Sequence, residues 1–306
     1  MKIINRRQIR VKVLQELYSY LSGNQTSVEH SQKKIINSFS QTNTLYLFYL
    51  NFFKSFWEFL THRDDFQNRF KKSLEPIDNN ITLVRGLIPL KSIASNKALI
   101  SKLKFTELKN YWQNKEDFFN EFFFKIVNSN GFKEYLAIDN KDFKTQLNLF
   151  IHIFKEILVH DKSYVNYIED ENIYWIDDVP MINTFFLRLI KALHNNNEKE
   201  FDFFLNTFTY SKKDIDFALN LFERVLENSE KLDQDVQTLA LNWDIERIAP
   251  IDRLIIKMSI VEITYFSDIP SNVSINEYLE ISKEYSTPKS SQFINGVLDN
   301  IVKNNQ

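Results

Sequence analysis

Two stretches at opposite ends of a 306-residue chain carry the side chains best placed to do chemistry. Between Met1 and Gly23 the cations Lys2, Arg6, Arg7, Arg10 and Lys12 face a single acid, Glu16. Arg6 and Arg10 are four apart and share one helix face, with Arg7 beside them. From Lys212 onward the balance reverses, with ten Lys and Arg against sixteen Asp and Glu. A basic helix on an acidic body points to an anion-binding element at one end, although the whole chain carries a net charge of only -2. At the other end lie Val273-Ser274-Ile275-Asn276-Glu277 and Ser290-Ser291-Gln292-Phe293-Ile294-Asn295-Gly296-Val297-Leu298-Asp299. Ser274 and Glu277 have capping-box spacing. Gly296, inside the last helix, costs about 1 kcal/mol relative to Ala and is expected where another backbone comes close. Asn276 and Asn295 read as buried structural amides or as ligand contacts.

Catalytic chemistry finds little support. No two of His30, His62, His152, His160 and His194 stand one turn apart, and there is no cysteine. No glycine-rich phosphate loop, Rossmann fingerprint or nucleophile elbow occurs. The acidic clusters Glu169-Asp170-Glu171 and Asp177-Asp178 lack a completing ligand set and read as solvated helix ends. No cofactor and no enzymatic activity are expected.

The elements that position these residues are helices. Four glycines and six prolines in 306 residues favour an all-α protein. The pattern divides into a first helix in 1–23, a helical region of unassigned role in 24–210, and a helical remainder in 211–306. Ile9, Val13, Leu14, Leu17 and Leu21 give the first helix one apolar face. The middle region predicts helices over His30–Ser40, Thr44–Ser73, Lys91–Trp112, Glu116–Asn128, Asp142–Val159 and Met181–Leu193, with a loop from Pro76 to Pro89. The run Phe118-Phe119 and Phe122-Phe123-Phe124 reads as a core stripe or a partner-binding patch. Ser211 with Asp214, and Thr287 before Pro288, mark helix starts. Thr44 to Leu60 is too short and too polar for a bilayer span, and no apolar signal sequence opens the chain.

Together these end motifs resemble the NusB transcription antitermination family. The resemblance rests on Arg6-Arg7 and Arg10 leading into Glu16-Leu17-Tyr18-Ser19. It rests equally on Ile269-Pro270-Ser271-Asn272-Val273-Ser274-Ile275-Asn276-Glu277 and on Phe293-Ile294-Asn295-Gly296-Val297-Leu298-Asp299. It implies paired helical bundles carrying a large inserted or extended helical region. It also implies a cytoplasmic, non-enzymatic factor that binds single-stranded boxA-like RNA with the ribosomal protein NusE, within the RNA polymerase antitermination complex. The RNA-binding residues it suggests are Lys2, Arg6, Arg7, Arg10, Tyr18, Lys289, Gln292 and Phe293. Cations would neutralise phosphates and rings would stack on bases. Asp252 matches an acidic, partner-facing family position, or else complements its helix dipole. Gln8 interrupts the family's arginine run. An RNA cytosine methyltransferase bearing such a domain would continue into a catalytic domain beyond Gln306 and is not expected. A helical scaffold acting through 24–210 without RNA is the alternative.

Overall fold

Apolar residues at helical spacing, with few helix breakers, produce helices throughout, and no β-strand occurs among the described residues. The computed structural model describes residues 6–23, 27–69, 79–194, 201–204, 210–239 and 248–304, without the side chains of 64–69, 173, 194 and 301–304. The helices are α1 (Arg6–Ser22), α2 (Val28–Arg69), α3 (Asn79–Arg85), α4 (Ile88–Ala94), α5 (Lys97–Leu103), α6 (Glu116–Asn128), α7 (Asn130–Ala137), α8 (Phe143–His152), α9 (Lys162–Glu171), α10 (Val179–His194), α11 (Lys212–Glu227), α12 (Ser229–Leu239), α13 (Pro250–Tyr265), α14 (Ser271–Tyr285) and α15 (Pro288–Asn304). No helix among the described residues is long and apolar enough to cross a membrane. Two compact units result: Met1–Ser40 with Tyr210–Gln306, and Gln41–Thr209.

In the first unit α13 is the axis. It is buried without a break from Leu254 to Glu262 and packs against α1, α11, α12, α14 and α15. A helix buried all round belongs at the centre of a bundle. Helix α1 thus meets helices more than 200 residues away, and Ile9, Val13, Leu14 and Leu17 join their core. The single apolar face expected of α1 is too narrow a description. Every residue from Ile9 to Leu14 is buried, Arg10 and Lys12 included, whereas Leu21 is 49% exposed. Ser211 and Asp214 form the reciprocal capping box that starts α11. The Ser290 amide donates to the Thr287 hydroxyl at the start of α15.

The second unit is built on rings. Phe52 is fully buried, with Phe53, Phe56, Trp112, Phe118, Phe119, Phe122 and Tyr164 at centroid distances of 5.0 to 6.3 Å. The phenylalanine run of α6 is therefore core, with only Phe124 turned out, at 66% exposure. The two helices expected over His30–Ser40 and Thr44–Ser73 are one, α2, to the limit of the described residues. Its polar midpoint is satisfied sideways, because the Thr42 hydroxyl donates to the buried Asp178 carboxylate at 2.6 Å. Asp178 is thus an interior acceptor rather than a solvated helix end. The single helix expected over Lys91–Trp112 is broken after Ala94, where the Asn96 side chain accepts the Leu99 amide and starts α5 afresh. Of the loop expected from Pro76 to Pro89, residues 79–85 are helical, and Ile88 and Pro89 open α4.

Candidate nucleic-acid interface

The arginines of α1 do not form a free cationic face. Arg10 is 1% exposed and Glu262 of α13 is 0% exposed. Arg10 donates from Nε at 2.7 Å and from Nη2 at 2.5 Å to the two oxygens of Glu262. The hydroxyls of Ser274 (2.6 Å) and Tyr278 (3.0 Å) donate to the same carboxylate. The Phe217 and Tyr278 rings each lie 5.6 Å from the guanidinium carbon. Burial works against the Arg10 charge, but the bonds to Glu262 and the neighbouring charges outweigh it and raise its pKa. Burial beside Glu262 likewise pushes the Tyr278 phenol well above its usual range. A buried pair is tolerable only when its remaining lone pairs are met, as they are here.

This network changes the reading of the motif around Ser274. Helix α14 begins at Ser271, not at Ser274, so no Ser274–Glu277 capping box forms. Ser274 serves Glu262, and Glu277 faces Arg7, which donates to it from Nε at 2.9 Å and Nη2 at 3.2 Å. That bond raises the Arg7 pKa. Arg6 reaches Asp268 at 3.5 Å and lies 5.2 Å from the Phe217 ring. Arg6 and Arg7 remain partly exposed, at 29% and 25%, while Arg10 has no outward face.

Between α14 and α15 runs an open groove of about 450 Å³, with Arg7 at one side. Asn276, Leu279 and Lys283 recur along α14 at helical spacing, and Ser291, Gln292 and Asn295 do so along α15, so two helix faces meet in it. Asn276, Gln292 and Asn295 are exposed, contrary to the reading of the two asparagines as buried structural amides. Gly296 is exposed too. A Cβ added there would meet nothing within 4 Å among the described residues, so none of their elements explains this glycine, and the close helix contact expected of it does not occur among them.

The remaining expected site residues scatter. Tyr18 is 43% exposed and Lys289 is exposed at the start of α15. Phe293 is half-buried and packs on the core. Asp252 is buried at 3% and accepts the Ser286 hydroxyl, which ties the first turn of α13 to the end of α14 and leaves no partner-facing carboxylate. Lys2 lies outside the described residues. The structure brings Arg7 and Gln292 to one groove and adds Asn276, Ser291, Asn295 and Lys283 to them. The spacing of Gln292 and Asn295, one turn apart on a helix with an unexplained glycine, was the available signal.

The NusB family matches residues 184–303. Over 106 residues the chain is 37% identical to the transcription antitermination protein NusB of Oceanobacillus iheyensis, covering 35% of this chain and 84% of the relative. It is 48% identical over 87 residues to that of Thermodesulfovibrio yellowstonii (28% of this chain, 58% of the relative). It is 45% identical over 87 residues to that of Salinibacter ruber (28% and 54%). In several such relatives, these last two among them, the chain spans less than two thirds of the relative's length. No solved structure is significantly similar to this chain. With 84% of one relative matched at 37% identity, and with the motif residues Arg10, Ser274 and Glu277 joined in and around one buried network, the chain belongs to the NusB family.

Proposed function

We propose that this chain is a transcription antitermination factor that acts by binding, not catalysis. It holds single-stranded, boxA-like RNA in the α14–α15 groove and works with the ribosomal protein NusE in the RNA polymerase antitermination complex, in the cytoplasm. The observation that carries the reading is Gly296 beside the amides of Gln292 and Asn295. A helix-interior glycine costs about 1 kcal/mol, and here none of the described residues requires it. A ligand that lies close against α15 does. Amide side chains donate and accept on unpaired base edges, Arg7 and Lys283 exchange their ion pairs with Glu277 and with the groove-lining Glu280 for phosphates, and the exposed Tyr18 ring offers a stacking surface. Tyr18 stands eleven residues beyond Arg7, about 16 Å along α1, so a strand crossing the groove has room to reach both.

Arg10 and Glu262 have a different part in this reading. They hold α1 against α13 and α14 so that Arg7 stands at the groove. The unit at Gln41–Thr209 is an added helical region with its own core.

Filter binding of the full chain to boxA-like and scrambled RNA tests the proposal, with NusE pull-down in the presence and absence of RNA. Preference for the boxA-like strand, strengthened by NusE, is expected. Equal retention of both strands, or no retention, would withdraw the RNA reading and favour a protein scaffold.

A further inference from the structure

We propose that the second unit carries a sequence-tolerant platform for single-stranded RNA, made by the turn at Phe105 and the lysines around it. The inference extends the RNA reading of the chain but does not rest on the α14–α15 groove, which belongs to the other unit. Between residues 79 and 110 stand Arg85, Lys91, Lys97, Lys102, Lys104 and Lys109 against one acid, Glu107, in a chain whose net charge is -2. All five lysines are exposed. Lys97, Lys104 and Lys109 have no ion-pair partner among the described residues. Lys97, Ile100 and Lys104 follow at helical spacing along α5 and its C-cap, so they share one face. Lys104 and Lys109 border the same open cavity. Of the acids on that cavity, Glu58 is bonded to Lys54 and Glu116 opens α6.

Between Lys104 and Lys109 in the chain stands Phe105, 88% exposed, more than any other large apolar side chain among the described residues. Its exposure is built in. Leu103 and Leu108 are buried on either side of it. The Phe105 amide donates to the Lys102 carbonyl at 3.1 Å, and the Thr106 amide and hydroxyl donate to that of Leu103 at 3.1 and 3.0 Å. A turn anchored in this way holds the ring outside the core. A lone exposed ring is ordinary. A ring among unpaired ammonium groups is the composition of a single-strand platform, where bases stack on the face and phosphates meet the cations. Neither contact reads a base edge, so the surface takes any sequence and leaves preference to the groove. An acidic peptide would match the charge but offers no run of planar bases to the Phe105 face.

Ultraviolet crosslinking of the full chain to a scrambled strand without the boxA-like sequence, with adducts mapped by mass spectrometry, tests the assignment. Adducts within residues 97–109 are expected. Anisotropy titrations of the same strand supply the second readout. Phe105→Leu, which keeps apolar bulk and removes the ring, should weaken binding by about tenfold, whereas Phe105→Trp should keep it. Lys104→Ala combined with Lys109→Ala should flatten the slope of log affinity against log salt by about 1.4, at about 0.7 for each phosphate contact on a single strand. These positions are all exposed, so the melting temperature should hold. Adducts confined to the first unit, with affinity unmoved by these variants, would overturn the platform and leave the groove reading intact. Adducts at 97–109 with none in the first unit would uphold the platform and count against the groove. Full affinity in Phe105→Leu would overturn the proposal, as would binding to phosphatidylglycerol vesicles without RNA adducts at 97–109, which would assign the surface to lipid.

Discussion

The two units solve the problem of a helical core in opposite ways. The unit closed by α1 and α11–α15 places a charged pair at its centre, Arg10 with Glu262, and surrounds it with the hydroxyls and rings that make the charge tolerable. The unit of Gln41–Thr209 stacks Phe48, Phe52, Phe53, Phe56, Trp112 and Phe122 into an interior of rings. A ring cluster is generous about partners, because almost any large apolar side chain fills the space. A buried arginine is not, because each of its contacts has to be supplied by a particular residue. The family match takes in most of the partners that the buried arginine needs, although it begins within α10 of the second unit and does not reach α1. It covers residues 184–303, which include Glu262, Ser274, Glu277 and Tyr278.

The largest effect is expected from removing one partner of the charged pair. Arg10→Ala leaves Glu262 buried with two hydroxyl donors and should cost about 3–5 kcal/mol. Hydrogen exchange should rise throughout α1, α13 and α14. A loss under 1 kcal/mol would mean that water reaches Glu262 and that the unit is not organised around this pair. Phe52→Ala should cost a similar amount, about 3–5 kcal/mol, with faster exchange in α2 and α6. If instead it chiefly loosens α13 and α14, the two cores are not separate.

A smaller change sharpens the contrast within the first unit. Ser274→Ala removes one donor to a buried carboxylate and should cost about 1.5–3 kcal/mol, visible as a lower melting temperature. A capping role would instead predict fraying confined to the first turn of α14. The smallest effect has the opposite sign. Gly296→Ala should stabilise the chain by about 0.5–1 kcal/mol, since the new methyl group meets none of the described residues and helix propensity rises. In the same variant RNA affinity should fall. Destabilisation would show that some part of the chain does approach Gly296.

What was legible in advance was local. The capping pair Ser211 and Asp214 and the Thr287 cap lie within a few residues of the amides they satisfy, so spacing alone reveals them. The all-helical character follows from composition, and the core role of Phe118, Phe119 and Phe122 from periodicity. The network around Glu262 was not legible, because its arginine lies 252 residues away in sequence. Ser274 and Glu277 have the spacing of a cap, whereas each serves a different long-range partner. Arginines clustered on a short helix look like a ligand surface. Only the structure shows that Arg10 points inward and that the exposed polar face belongs to Asn276, Gln292 and Asn295. The continuity of α2 was hidden for the same reason, since the acceptor for Thr42 is Asp178, 136 residues on.

The central claim is that the α14–α15 groove, and not the arginine cluster as a whole, binds the RNA. Fluorescence anisotropy of a boxA-like strand titrated with the double variant Asn276→Ala and Asn295→Ala tests it most directly. Both side chains are exposed, so the melting temperature should hold while affinity drops by at least about tenfold, as expected for the loss of base-edge contacts worth roughly 1.4 kcal/mol or more. Affinity equal to that of the parent chain, at an unchanged melting temperature, would contradict the claim and move the RNA site off this groove.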